Sequence, residues 1–331
     1  MEDITKRIDA VTDISEIRKT LGAIQPAPKS VKIELTAKCN LRCKYCAVRT
    51  REKQPVKDMN LWLFKKITED MRISGVEEIG LFYLGEPFCN NNLLVEAIRW
   101  CKKDLGFPYV FLTSNATKAI PWFVKSVFDE GLDSLKWSVN WSSPKQFGEI
   151  SGCDELLFWK AMENIRAAWE LKQKHDYKTM ISASSILYEG EQKQNMEQVL
   201  NEYVRPFVDK HYWLPLYQMS MYKDKIEKEL GYTPTAGNVG RIDENTMLPL
   251  RKPLPCWSAF TEGHVRVDGG LSACCFGADA RFDMGVLDGT NFMRQWNSKK
   301  FQELRAAQLK TLTEGQEALK GTACEVCVAY E

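Results

Sequence analysis

The sequence predicts an α/β fold, a parallel sheet built from six strand–helix units followed by a second, smaller unit. Short apolar or β-branched runs alternate with longer stretches of helical period from Val31 to about residue 220. The periodicity then fades over 223–255 into a polar stretch punctuated by glycines and prolines, among them Gly231, Pro234, Pro249 and Pro255. A hairpin-like segment and a helix-like segment come after it. Strands separated by helices pair in parallel and place ligands at their carboxyl ends, and six units fall short of the eight of a closed barrel.

In order, the chain opens with Ile4, Ile8, Val11, Ile14, Ile17 and Leu21 at spacings of three and four, an amphipathic helix over 3–21 that ends before the two prolines of QPAPK. The six strands are expected in VKIEL, EEIGLFYL, YVFLTSN, LKWSVNW, TMISASSIL and YWLPLYQMS. Helices are expected at LWLFKKITEDMRISG, NNLLVEAIRWCKKDLG, PWFVKSVFDEG and ELLFWKAMENIRAAWELKQK, and near Gln194 to Val204. In the second unit HVRVDGGLSACC turns at Asp268-Gly269-Gly270, and NFMRQWNSKKFQELRAAQLK is one helix. The boundaries that follow are a cap over 1–30, a six-unit body over 31–225, a connection over 226–255 and a second unit over 256–331.

Composition narrows the function classes. With 331 residues, 44% hydrophobic and 27% charged, the chain buries a large core and is neither a disulfide scaffold, a fibre nor a disordered protein. Lys and Arg number 45 against 44 acidic residues, so the basic excess that attracts a phosphate backbone is missing and no nucleic-acid partner is expected. The N-terminus is dotted with acidic residues and lacks an apolar core, and no run of about 18 apolar residues occurs. A cytoplasmic location without a membrane partner is the expectation.

Eleven cysteines in such a chain are expected as thiols, and grouped thiols point to metal. Cys39, Cys43 and Cys46 form CNLRCKYC in the loop after the first strand. Three thiolates there can hold three irons of a [4Fe–4S] cluster and leave the fourth open, or build a zinc site completed by a distant ligand. Cys256, Cys274 or Cys275, Cys324 and Cys327 form a second set, able to hold a closed cluster or a structural zinc. Cys89 and Cys101 are expected to be packing thiols, and Cys153, in a loop after the fourth strand, is a candidate hydrogen-atom donor.

The C-x3-C-x2-C spacing, with Tyr45 before its third cysteine and Gly85-Glu86-Pro87 after the second strand run, resembles the radical S-adenosylmethionine superfamily. The second set resembles the C-terminal SPASM/twitch extension of that family, in its shorter twitch form. The resemblance implies a partial (β/α)6 TIM-like barrel followed by a small α+β twitch/SPASM-type iron–sulfur domain. It implies S-adenosylmethionine and two [4Fe–4S] clusters, one that binds S-adenosylmethionine and one auxiliary, held by Cys39, Cys43 and Cys46 and by Cys256, Cys274, Cys324 and Cys327. It further implies cofactor contacts from Tyr45, Gly85, Glu86, Pro87, Ser138 and Asn140, and a reductant such as flavodoxin or ferredoxin. The position before Gly85 is Leu84, where the family often has a second glycine. The expected reaction is dehydrogenation of a sugar or aminocyclitol, with Arg241 a positional candidate for the base. Epimerisation of a sugar or peptide with Cys153 or Cys275 as hydrogen donor, peptide crosslinking, and a non-enzymatic zinc or iron–sulfur module are the alternatives.

Overall fold

The computed structural model describes residues 4–15, 22–44, 46, 57–214, 241–243, 245–248, 250, 252, 254–275 and 280–325. Tyr45, Cys327 and most of the 226–255 connection lie outside the described residues.

Strands β1 (Ser30–Ile33), β2 (Glu78–Gly80), β3 (Tyr109–Ser114), β4 (Ser134–Ser138), β5 (Met180–Ile186) and β6 (Lys210–Leu214) lie side by side in chain order, all parallel. Helices Leu61–Ile73, Asn91–Arg99, Pro121–Asp129, Leu156–His175 and Gly190–Val199 connect them. Alternation along each strand explains the packing. Val31, Ile33, Ile79, Val110, Leu112, Leu135, Trp137 and Ile181 are fully buried, in one core with helix residues such as Phe64, Ile67, Leu94, Ile98, Val124 and Val127. The alternate residues, Ser30, Lys32, Glu78, Tyr109, Thr113, Ser134, Lys136 and Tyr212, face a central lumen. One apolar and one polar face on a sheet covered by helices marks a barrel whose interior holds something other than packed side chains.

The second unit continues this sheet. β7 (Glu262–Val265) pairs in parallel with β1, and β8 (Gly270–Ser272) and β9 (Asp283–Val286) follow antiparallel, giving nine strands in the order β6-β5-β4-β3-β2-β1-β7-β8-β9. The hairpin turns where expected, with Gly269 in the left-handed region at φ +82°.

Two helices depart from expectation. The segment read as one helix from residue 291 is broken into Phe292–Trp296 and Lys299–Glu314, because Ser298 caps the second piece by accepting from Phe301 N. The N-terminal helix spans Ile4–Thr12 rather than reaching 21, and Asp13 Oδ1 accepts from Ser15 N at 2.9 Å, a local bond that competes with the helix. Residues 16–21 lie outside the described residues. Among the described residues no helix is long and apolar enough to cross a membrane.

Arg305 ties the ends of the chain together. Fully buried, it donates to Ala259 O at 2.8 Å, Ala23 O at 3.0 Å, Trp296 O at 2.9 Å and Asn297 Oδ1 at 3.0 Å, and its guanidinium lies 4.3 Å from the Trp296 ring centroid. Trp296 Nε1 in turn donates to Pro26 O and Asn297 Nδ2 to Gln25 O, both at 2.8 Å. Arg305→Ala strands three buried carbonyls, each worth about 1–3 kcal/mol when unpaired. Urea unfolding should show a loss of at least about 3 kcal/mol, with Arg305→Lys recovering only part because an ammonium cannot reproduce the fork.

Candidate active site

The cysteine loop is clamped at both ends. Thr36 bridges Asp58, Ala37 N donates to Lys57 O at 2.9 Å, Met59 N donates to Leu35 O at 2.8 Å, and Lys38 Nζ lies 2.6 Å from Asp58 Oδ2. Its middle docks on the carboxyl end of the helix Pro144–Ser151, through Arg42 N to Ser151 O at 2.7 Å and Lys44 N to Ile150 O at 2.9 Å. Burial, then the charge of Glu86, pushes the Cys39 thiol up to about 12. Burial, then Cys46, Cys39 and Cys153, pushes Cys43 up as well. Thiols this crowded ionise only against added positive charge, which an iron cluster supplies, so the donor set fits one. Among the described residues no three ligand-type side chains stand at single-ion spacing; the fit rests on the shared loop and the mutual field of the thiols.

Gly85-Glu86-Pro87 follows β2 and packs directly on that loop. A Cβ on Gly85 would lie 1.9 Å from Thr36 O and 2.9 Å from Lys38 O, so only glycine allows the approach. Glu86 N donates to Lys38 O at 2.8 Å. The Glu86 carboxylate is buried and accepts from Ser114 Oγ and Asn115 N, both at 2.8 Å, and from Phe88 N at 3.2 Å. Burial pushes it up to about 7 although these bonds favour the charged form. Its side chain is therefore committed to tying β3 to the loop, which leaves the backbone of this segment as the part able to face a cofactor. Asn115, at the carboxyl end of β3, donates to Asn40 Oδ1 at 3.2 Å, and Asn40 donates to Thr117 Oγ1 at 2.8 Å. Ser138 stands at the carboxyl end of β4 opposite Ser184, while Asn140 Oδ1 accepts from Ile186 N at 3.0 Å.

Other expected residues take structural places. Cys153 Sγ donates to Asn40 O at 3.3 Å and so braces the cysteine loop; the described lining of the lumen includes Cys275 and not Cys153. Arg241 is held bidentately by Asp9, at 3.0 and 2.9 Å, and a guanidinium so paired offers no lone pair for a proton. Cys101 is fully buried, as expected of a packing thiol, whereas Cys89 is half-buried near the backbone of Asn40.

In the second set, buried Gln308 accepts from Cys256 N at 2.9 Å, and its side chain also hydrogen-bonds Cys324, which brings these two cysteines to one place. Strand β8 ends at Ser272, so strand alternation does not separate Cys274 from Cys275. Their side chains are hydrogen-bonded, and that bond, then the Lys32 charge, lowers the Cys275 thiol against burial. Tyr83 Oη donates to Cys274 O at 2.7 Å.

The lumen encloses about 230 Å³ between the N-terminal helix, the strands and Trp257. It holds three cations. Arg7 pairs with Glu78 and lies over Tyr109; Lys32 lies 2.5 Å from Glu262 Oε1; Lys136 has no ion pair among the described residues. Lys32, Glu262 and Lys136 escaped the sequence reading. For Lys32 the signal was present: a charge at every second position of VKIEL, in a strand expected to be buried on both faces, has to point into a cavity.

The family profile described as Radical SAM superfamily matches residues 33–202, half of the chain, and that of the SPASM iron–sulfur cluster-binding domain matches 256–328. The chain belongs to the radical SAM superfamily. Its cofactors are S-adenosylmethionine with its iron–sulfur cluster and an auxiliary iron–sulfur cluster. Over 136 residues it is 31% identical to an uncharacterized protein of Methanocaldococcus jannaschii, covering 41% of this chain and 42% of that one. It is 28% identical over 136 residues to the S-adenosylmethionine-dependent nucleotide dehydratase RSAD2 of Oncorhynchus mykiss, covering 40% and 36%. To the GTP 3′,8-cyclase of Rhizobium leguminosarum it is 27% identical over 158 residues, covering 47% and 43%. The chain spans less than half the length of these relatives. Among solved structures, BtrN in complex with AdoMet and 2-DOIA shares the fold at TM-score 0.57 and 14% identity, covering 92% of this chain and 94% of that one. SuiB bound to S-adenosylmethionine shares it at 0.58 and 13%, covering 87% and 69%.

Gly85→Ala forces the Thr36 and Lys38 carbonyls away from the turn. After anaerobic reconstitution its iron should fall from about eight to about four per chain, with a circular dichroism spectrum like that of the wild type.

Proposed function

We propose that this chain dehydrogenates a sugar- or aminocyclitol-type small molecule held in the barrel lumen, with the auxiliary cluster as electron acceptor. The observation that carries the reading is that Cys275 and Trp257, both of the second unit, line the same lumen as strands β1, β3, β4 and β6. An electron leaving a substrate there reaches the auxiliary cysteines without crossing the sheet. On this reading 31–225 carries the cofactor half and 256–331 the auxiliary half, joined by 226–255 and preceded by the 1–30 cap.

Cys39, Cys43 and Cys46 would hold the cluster that binds S-adenosylmethionine. The backbone of Gly85, Glu86 and Pro87 would face the cofactor together with Tyr45, Ser138 and Asn140. Cys256, Cys274, Cys324 and Cys327 would hold the auxiliary cluster, with Gln308 bonded to two of them. When bound and reduced by a flavodoxin or ferredoxin, these groups would supply hydrogen-atom abstraction at substrate carbon and an acceptor for the one further electron, with the accompanying proton released to solvent. The chain's own part is positional. The clamped loop would fix the cluster relative to β2, and the apolar side chains of Phe82, Phe111, Leu214 and Trp257 on the lumen wall would disfavour water beside the substrate.

A radical epimerase is the second reading, favoured by the thiol of Cys275 on the lumen wall. Cys275→Ser separates the two: a dehydrogenase still yields oxidised product, whereas an epimerase loses its hydrogen donor.

Anaerobic reconstitution tests the main reading. Wild type should bind about eight irons and release 5′-deoxyadenosine under dithionite, and Cys39/Cys43/Cys46→Ala should hold about four and release none. Cys256→Ala with Cys324→Ala should keep 5′-deoxyadenosine release and lose oxidised product. Zinc in place of iron, or no cleavage by the wild type, overturns the reading.

A further inference from the structure

Thr113, Lys136 and Ser182 form a row across three adjacent strands. Thr113 is the register partner of Lys136, and Lys136 that of Ser182, so all three project from the same, lumen-facing side of the sheet. Thr113 and Lys136 line the lumen. Ser182 is fully buried and, among the described residues, its Oγ has no hydrogen-bond partner. Among the described residues the Lys136 ammonium forms no ion pair, and the Glu262 carboxylate acts on it only from a distance.

Other lumen charges are spent on one another. Glu262 is committed to Lys32, and Glu78 to Arg7. His264 Nε2 lies 3.1 Å from Glu262 Oε2 without hydrogen-bond alignment, and burial holds its ring neutral. The phenols Tyr109 and Tyr212 are pushed up by burial and stay neutral. A desolvated cation beside the unmatched Ser182 hydroxyl is a costly arrangement unless an anion arrives to complete it.

We propose that this row binds an oxyanion of the substrate, a carboxylate or a phosphate, with Lys136 as its counter-ion and Thr113 and Ser182 as hydroxyl donors. The proposal deepens the dehydrogenase reading by naming the charge of its substrate. An anionic sugar or cyclitol derivative fits the lumen, whereas a cationic aminocyclitol would meet Lys136 and Lys32 on the same wall. Burial, then the charge of Lys32, pulls the Lys136 ammonium down to about 8 against the opposing charge of Glu262, so without a ligand the amine loses its charge as pH rises through that value. A bound anion opposes the loss.

Pulsed reductive methylation of the reconstituted protein with formaldehyde, read by mass spectrometry, tests the site without any radical chemistry. Failure here leaves the dehydrogenase reading standing, and failure to release 5′-deoxyadenosine leaves the anion site standing. Inorganic phosphate or formate should slow methylation of Lys136 at least fivefold and move the midpoint of its pH curve above about 8, while exposed Lys178 is unaffected. Protection by phosphate alone assigns a phosphoryl group, protection by formate alone a carboxylate, and protection by both the shared oxyanion chemistry. Lys136→Met should abolish the thermal shift given by the protecting anion and Lys136→Arg should retain it. Thr113→Val should weaken protection in a chain whose lysine is intact. Unchanged methylation of Lys136 with either anion overturns the proposal, as does an equal thermal shift in Lys136→Met.

Discussion

The backbone at Gly85 lies so close to the carbonyls of Thr36 and Lys38 that no side chain fits between them. That contact sets the distance between the loop after β1 and the turn after β2, and the surrounding network holds it there. Glu86 supports it from behind with bonds to β3, while Asn40, Asn115 and Thr117 connect the loop to the end of that strand. The docking of Arg42 and Lys44 on the carboxyl end of the helix Pro144–Ser151 fixes the other side. The described part of the cysteine loop, residues 36–44, is in this way held from two sides, and fixed ligand-bearing backbone is what a site that must aim a reactive fragment requires.

Charge inside the lumen follows a different logic. Opposite charges at 2.5 Å in a buried site attract strongly, yet the pair only offsets the desolvation of both partners. The Lys32–Glu262 and Arg7–Glu78 pairs are therefore best understood as placing polar groups in the barrel at little net stability. Lys136 is the exception, its desolvation only partly offset by the charge of Glu262, and such unbalanced groups concentrate where ligands bind.

Much of the fold was legible because its signals are local and periodic. Six apolar runs separated by helical stretches gave the six parallel strands, and Asp268-Gly269-Gly270 gave the hairpin. Features set by competition between local bonds were not legible: Ser298 interrupts a run whose apolar period continues through it, and Asp13 stops the first helix before its period ends. For the site, cysteine spacing and the Gly85-Glu86-Pro87 turn could be read from the chain, since each is a short motif. The pairing of Arg241 with Asp9 joins residues 232 positions apart, and no periodicity signals it. Lys136 stood in a segment where Ser138 and Asn140 drew notice as polar site candidates, although Lys136 and Ser138 share one face of β4.

The parallel pairing of β7 with β1 also bears on how the molecule comes to be built. Ser30 meets Glu262 across that seam, so the first strand waits for its neighbour until most of the chain has left the ribosome. Until then the edge next to the cysteine loop exposes unpaired backbone groups, which invite strand pairing with other chains. Contacts this distant in sequence slow folding. The order of synthesis thus runs opposite to the order of need, and iron delivered to a nascent chain would meet a loop whose supporting sheet is still unfinished.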